Sequence, residues 1–316
     1  MKVHLNGLSR LQKKNNADAQ NYLGVCYELG KGVEKSQNLS VECYKKAAEQ
    51  GQEYAQYNLG LCYYYSKGVK QDYNKALYWF KEASKQGHKN AKKMMDKCEK
   101  IVSEKKVVAE FADMRKKAEQ GNAVEQYNLG ATYYHGDGVP ADYTKAAYWY
   151  EKAAKQGNKE AQNNLGYCYD KGHGVIVNHE KAFFWYQKAA HQENVTAQCN
   201  IALCYYYGDG VTVNYEKAFY WFKLAAEQGD VKAQFQLGRC YGLGRGVSTA
   251  YEKAFYWFKL AAEQGNIDAQ YFLGECYKKG YGTDSNYEKV VYWYKKSAEE
   301  GNIEAANALS EMNENY

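Results

Sequence analysis

The residues best able to do chemistry in this chain are its nine cysteines, and their spacing says what chemistry to expect. Cys26, Cys62 and Cys98 are 36 residues apart, as are Cys168, Cys204, Cys240 and Cys276, and Thr132 takes the place between the two runs. A thiol can pair, bind a metal or attack an electrophile. Pairing is disfavoured because each period carries one such cysteine and the total is odd. Packed helices also lie about 10 Å apart, whereas a disulfide needs Cα atoms within about 7 Å. Zinc is disfavoured because no CxxC or HExxH occurs, and Cys199 and Cys204, five residues apart on a helix, stand about 140° apart around it. The cysteines read as small buried hydrophobes in a reducing compartment.

The other chemical candidates are equally periodic or equally dispersed. His4, His88, His135, His173, His179 and His191 are scattered, and no GxSxG and no recurring histidine–carboxylate spacing accompanies them. No converging nucleophile, base or metal set is legible. Gly136-Asp137-Gly138-Val139, Gly172-His173-Gly174-Val175, Gly208-Asp209-Gly210-Val211 and Gly244-Arg245-Gly246-Val247 resemble phosphate loops only superficially. They follow helical patterns and lack the later glycine of a dinucleotide fingerprint. Gly24 to Lys31 misses a P-loop, with Gly32 where Ser or Thr is required. These glycines suit left-handed turn positions.

The elements that carry these residues repeat with the same period. Leu23-Gly24 returns as Leu59-Gly60, Leu129-Gly130, Leu165-Gly166, Leu237-Gly238 and Leu273-Gly274, with Ala202 replacing the glycine in one copy. Such a period means a stacked array of one small unit. In Gln52 to Gly87, Ala55, Leu59, Gly60 and Tyr63 share one helical face, Lys67-Gly68-Val69 breaks the helix, and a second helix runs from about Asn74 to Gln86. Its stripe is Ala76, Trp79, Phe80 and Ala83, and Gly87 ends it. Gly60 lets the second helix approach. Trp79, Trp149, Trp185, Trp221, Trp257 and Trp293 recur in second helices and read as core, with a cost of about 3–5 kcal/mol for removing one.

The 316 residues are 45% hydrophobic and 25% charged, enough to bury a continuous core, and the lone proline is Pro140. A net charge of +5 is mild, with lysines and glutamates interleaved, so no basic nucleic-acid face is expected. No run of about 18 apolar residues suggests membrane insertion. Met1 to Lys14 has no apolar core before a small-residue cleavage site. The expected location is cytoplasmic.

The segment AQYNLGLCYYYSKGV (Ala55 to Val69) followed by DYNKALYWFKEASKQG (Asp72 to Gly87) resembles the Sel-one-like repeat family, a relative of the tetratricopeptide repeat. The resemblance covers residues 16–301. It implies an all-α fold: a right-handed superhelical α-solenoid of stacked antiparallel helix pairs, with first helices lining a concave face. The expectation is one solenoid over 1–316, with units at about 16–51, 52–87, 88–121 (degenerate), 122–157, 158–193, 194–229, 230–265 and 266–301 and partial units at 1–15 and 302–316.

By resemblance the function is that of an interaction scaffold or adaptor, as in signalling machinery, with a peptide or protein partner in the groove and no cofactor or metal. Two alternatives stand beside it. One is a hydrolase of the penicillin-binding type suggested for a secreted branch with two paired cysteines per unit, a pattern absent here. The other is a nucleic-acid-binding solenoid. In the tetratricopeptide register the groove positions are −3, +1, +4 and +5 from the repeat glycine. They give Tyr64 and Tyr65, Tyr134 and His135, Tyr167 and Lys171, Tyr206 and Tyr207, Arg239, and Glu275, with Asn163, Cys199 and Phe235 among the −3 residues. Tyrosine and arginine suit such a surface because they bury area and keep a polar end. Asn58, Asn128, Asn164 and Asn200, at −2, suggest hydrogen bonds between repeats.

Residues 88–121 lose the motif. Met95-Asp96 replaces Leu-Gly, Asp113 replaces Trp, and Lys92, Lys93, Lys97, Lys100, Lys105, Lys106, Lys116 and Lys117 crowd the segment. It reads as a decayed repeat with solvated faces and a local change of curvature, or else as a hinge or partner site. Tyr215 to Gly229 is identical to Tyr251 to Gly265, which fits an extensible scaffold. Neither terminus supplies a polar cap. Met1 to Lys14 matches the tail of a second helix, Asn302 to Met312 a first helix alone, and end-to-end self-association is possible.

Overall fold

The computed structural model describes residues 16–314, in which sixteen helices and no strand occur. The expectations for residues 1–15 lie outside the described residues. Two compact units are present, Met1–Ala112 and Asp113–Tyr316. The first contains α1 (Ala17–Leu29), α2 (Gln37–Glu49), α3 (Glu53–Tyr65) and α4 (Tyr73–Lys85). The boundary falls inside α5 (Ala91–Glu119). The second contains α6 (Ala123–His135), α7 (Tyr143–Lys155), α8 (Lys159–Lys171), α9 (His179–Ala190), α10 (Val195–Tyr207) and α11 (Tyr215–Glu227). It continues with α12 (Val231–Leu243), α13 (Tyr251–Glu263), α14 (Ile267–Lys279), α15 (Tyr287–Glu299) and α16 (Ile303–Glu314). Within each unit helices pack on their neighbours in sequence, the arrangement of an α-solenoid.

Local chemistry sets the helix ends. Asn158 caps α8 by accepting from the Ala161 amide, and Asn178 caps α9 by accepting from Lys181. First helices end at a left-handed residue such as Gly136 (φ 77°). The second loop glycine has a tighter reason. A Cβ on Gly174 would strike the Tyr143 carbonyl at the start of α7, one repeat back, and Gly210 and Gly246 meet His179 and Tyr215 likewise. These glycines therefore seat each loop on the preceding repeat.

The helix pairs close on the Leu-Gly glycine. A Cβ on Gly24, Gly60, Gly130, Gly166, Gly238 or Gly274 would lie 2.6–2.7 Å from the ring of Tyr44, Phe80, Tyr150, Tyr186, Phe258 or Tyr294, respectively. Leu59, Leu129, Leu165, Leu237 and Leu273 are buried beside them. A glutamine network links the repeats. Gln162 accepts from Gln192 in its own repeat (2.8 Å) and donates to the Ala154 carbonyl of the one before (3.0 Å). Gln56, Gln126 and Gln234 do the same.

Several expectations are corrected. The recurring tryptophans are half-buried; the fully buried ring is the next residue, as in Phe80, Tyr150 and Phe222. The asparagine bridge holds at Asn58 to Asn21 (3.1 Å) and Asn200 to Asn163 (3.1 Å), but Asn128 donates to Glu125 in its own helix. Residues 88–121 form the single 29-residue helix α5 in place of a pair, because no glycine interrupts residues 91–119. Exposed along most of its length, α5 carries the ion pairs Lys100–Glu104, Lys106–Glu110, Lys117–Asp113 and Arg115–Glu119 at i,i+4.

All nine cysteines are free and buried. Burial pushes the Cys62, Cys168, Cys240 and Cys276 thiols up to about 12. A protonated thiol is a poor nucleophile and metal ligand.

Three outcomes follow from this core. Gly130→Ala forces a Cβ into the Tyr150 ring and should lower urea-unfolding stability by about 1–3 kcal/mol. Phe222→Ala should cost about 3–5 kcal/mol and Trp221→Ala clearly less; equal losses would contradict the assignment of the buried ring. Iodoacetamide at neutral pH should label the native cysteines far more slowly than the urea-unfolded ones, followed by intact mass.

Candidate functional site

The first helices bury their Ala, Gln, Leu, Gly and Cys positions; the residue at +5 from the glycine is exposed, whereas +1 and +4 stand at the edge of the core, where Leu61, Tyr64, Ala131 and Tyr134 pack against it. The expected site residues separate into three kinds. Tyr65 and Tyr207 are more than half exposed, and Tyr167, His135 and Lys171 are also exposed. Tyr64, Tyr134, Arg239 and Glu275 are half-buried. Tyr206 is 3% exposed, and at −3 Cys199, Phe235 and Asn163 are also buried. Tyr206 is thus lost as a direct contact, because the next repeat covers it. Its hydroxyl accepts from the Arg245 guanidinium, while Arg239 lies 5.7 Å from its ring.

That cover recurs in three repeats, and the sequence reading missed it. The residue before the second loop glycine reaches back 39 positions to the +4 residue of the preceding repeat. Lys67 pairs with Glu28 (2.9 Å), His173 shares a hydrogen bond with the Tyr134 hydroxyl (2.8 Å), and Arg245 bonds Tyr206. The signal available was the variable residue held against an invariant glycine. His173 also stacks on Tyr143 at 4.9 Å, while Tyr134 lies 5.1 Å from Tyr143.

Charges on this face are mostly balanced. Burial works to raise the Glu275 carboxyl, but hydrogen bonds from Lys279 and the Tyr294 hydroxyl outweigh it and hold the group below the usual carboxylate range. Glu28 is held low in the same way by Lys67 and Tyr44. Asp170 pairs with Lys171 (2.9 Å) and faces His179 (3.2 Å). Arg239 donates to Gln236 (3.1 Å), and no carboxylate of the described residues pairs with it. Among the described residues no three His, Cys, Asp or Glu side chains gather as metal ligands. No helix among them is long and apolar enough to cross a membrane.

A second surface was also missed. Tyr148, Phe184, Tyr220, Tyr256 and Tyr292 are each about half exposed, edge-on to the tryptophan that follows. The repeated aromatic-Trp dipeptide was the sequence signal.

Comparison with known proteins matches this architecture. The Sel1 repeat model matches residues 17–52, 53–88, 126–158, 159–194, 195–230, 231–266 and 267–302, leaving out all of α5. Among solved structures, a protective antigen of uropathogenic Escherichia coli strains with an SLR fold is 37% identical, over 98% of this chain and 67% of that one, with a TM-score of 0.62. A Sel1 repeat protein from Oxalobacter formigenes is 30% identical, over 98% of this chain and 81% of that one, with a TM-score of 0.55. No curated protein matches the chain. Seven matched repeats, each a helix pair closed on the same glycine or its alanine substitute, show that the chain belongs to the Sel1 repeat family.

Proposed function

We propose that this protein is a non-catalytic adaptor that holds an extended peptide or a protein face on the first-helix surface of its second compact unit. Sel1 repeat solenoids are in general protein-interaction scaffolds. The observation that carries the finer reading is the contrast between an almost constant core and groove positions that vary from repeat to repeat. The residues offered are Tyr134, His135, Tyr167, Lys171, Tyr207, Arg239 and Glu275. They are aromatic or charged, and successive repeats bring them into touch through Tyr134–His173–Tyr167 and Tyr206–Arg239. Such residues form interface hot spots because they combine buried area with a polar end. The mixed charge of Lys171, Asp170, Arg239 and Glu275 suits a protein partner better than a nucleic-acid backbone. The high thiol pKa values argue against cysteine nucleophiles.

The test is a peptide-display selection on the immobilised full chain, followed by affinities for the Tyr207→Ala/Arg239→Ala variant. Tyr206 is left intact so that the buried stack survives. The variant should keep its helical circular dichroism and bind about tenfold or more weakly, a loss of about 1.4 kcal/mol or more. Undiminished affinity, with loss instead in Tyr220→Ala/Tyr256→Ala, would move the site to the second-helix aromatic stripe.

A further inference from the structure

The +4 place is a tyrosine in three repeats, Tyr64, Tyr134 and Tyr206, and a charged residue in three more, Glu28, Asp170 and Lys278. In the seventh repeat it is Gly242. A cavity of about 580 Å³ lies against Gly242, within the size range of small-ligand sites. Its walls repeat the surroundings of Tyr206 one period on. Tyr206 sits among Tyr215, Phe222, Arg239 and Arg245. The cavity is lined by their counterparts Tyr251, Phe258, Glu275 and Tyr281. Tyr281, the loop residue that would bond a +4 side chain, lies stacked on Tyr251 at 4.5 Å and 11°. Phe272, stacked on Phe258 at 5.3 Å, adds another aromatic surface. The array thus contains a seat built for an aromatic ring, without the ring.

We propose that this cavity is an anchor pocket for the phenylalanine or tyrosine of a partner protein, carried beside a carboxylate. The proposal rests on the reading of the first-helix face as the partner surface. The aromatic choice follows from the tyrosines that occupy the equivalent seat. The carboxylate follows from charge: Glu275 is already engaged by Lys279 (2.7 Å) and Tyr294, whereas Arg239, also lining the cavity, meets the Gln236 amide and two rings and no carboxylate among the described residues. The unmatched charge at the pocket is positive, and an acidic neighbour of the anchor would meet it.

Gly242 can be substituted without distortion. It is helical, and a Cβ there meets only the Ala254 Cβ at 3.8 Å. Gly242→Tyr therefore supplies the ring that Tyr64, Tyr134 and Tyr206 give in three other repeats and fills the pocket, while Gly242→Ala leaves most of it open. The probes are p-cresol, the tyrosine side chain alone, and the acetylated pentapeptides Glu-Glu-Phe-Glu-Glu and Glu-Glu-Ala-Glu-Glu, read on the isotopically labelled full chain by amide chemical shifts. p-Cresol should move the Gly242 and Ala254 signals in the original and the Ala254 signal in Gly242→Ala, and not the Ala254 signal in Gly242→Tyr. The phenylalanine peptide should bind about tenfold or more tightly than its alanine twin, and Gly242→Tyr should erase that difference.

An Ala254 signal unmoved by p-cresol in the original, equal affinity for the two peptides, or undiminished binding by a folded Gly242→Tyr would each overturn the pocket. Display-selected peptides that lose affinity with Tyr207→Ala/Arg239→Ala and not with Gly242→Tyr would overturn the pocket alone. Peptides indifferent to both variants would overturn the surface reading with it.

Discussion

The contact between a side-chain-free glycine and an aromatic ring organises six of the seven matched helix pairs, with Ala202 in the glycine's place in the remaining one. Gly130 against Tyr150 and Gly238 against Phe258 leave no room for a Cβ. The two helices approach until ring meets backbone, and that closeness fixes the rotation of the first helix about its axis. With Gly inward, the Leu before it and the Cys two residues after it are buried as well. The same rotation turns +5 outward and sets +1 and +4 at the margin between core and surface. Core and surface are thus two consequences of one packing constraint.

Neighbouring repeats are held by backbone and side-chain devices with different tolerances. The second loop glycine meets a carbonyl of the preceding repeat, and the buried glutamine donates to another. Both contacts involve main chain and leave little choice of residue. The 39-residue link between loop and +4 position joins only side chains, so it accepts Lys with Glu, His with Tyr, or Arg with Tyr. Variation is therefore admitted where it alters the outward face and not the stacking, which is how an array keeps one architecture while its binding surface diverges.

The long helix α5 shows what happens without these devices. Residues 91–119 contain no glycine to stop the helix and no Leu-Gly face to close on a partner. A continuous helix with ion pairs on exposed faces results. The family model finds no repeat over this stretch. The lysine excess that stood out in the sequence is solvated, and several of those lysines pair along the helix.

The sequence by itself determined the period, the helix pair, the packing reason for Gly60 and the burial of the cysteines. Each follows from residue type and local spacing, and the repeats state each several times over. Periodicity marks which way a residue points on its own helix. It is silent on what a neighbour 36 or 39 residues away lays over it. Only the tertiary structure decided that Tyr206 is buried beneath Arg245, that the tryptophans stay half-exposed, and that the absent side chain of Gly242 leaves a cavity rather than a collapsed gap. Burial is a property of the assembled stack: the covering atoms come from loops and rings of adjoining repeats, and their positions are set by packing rather than by any local pattern of the chain.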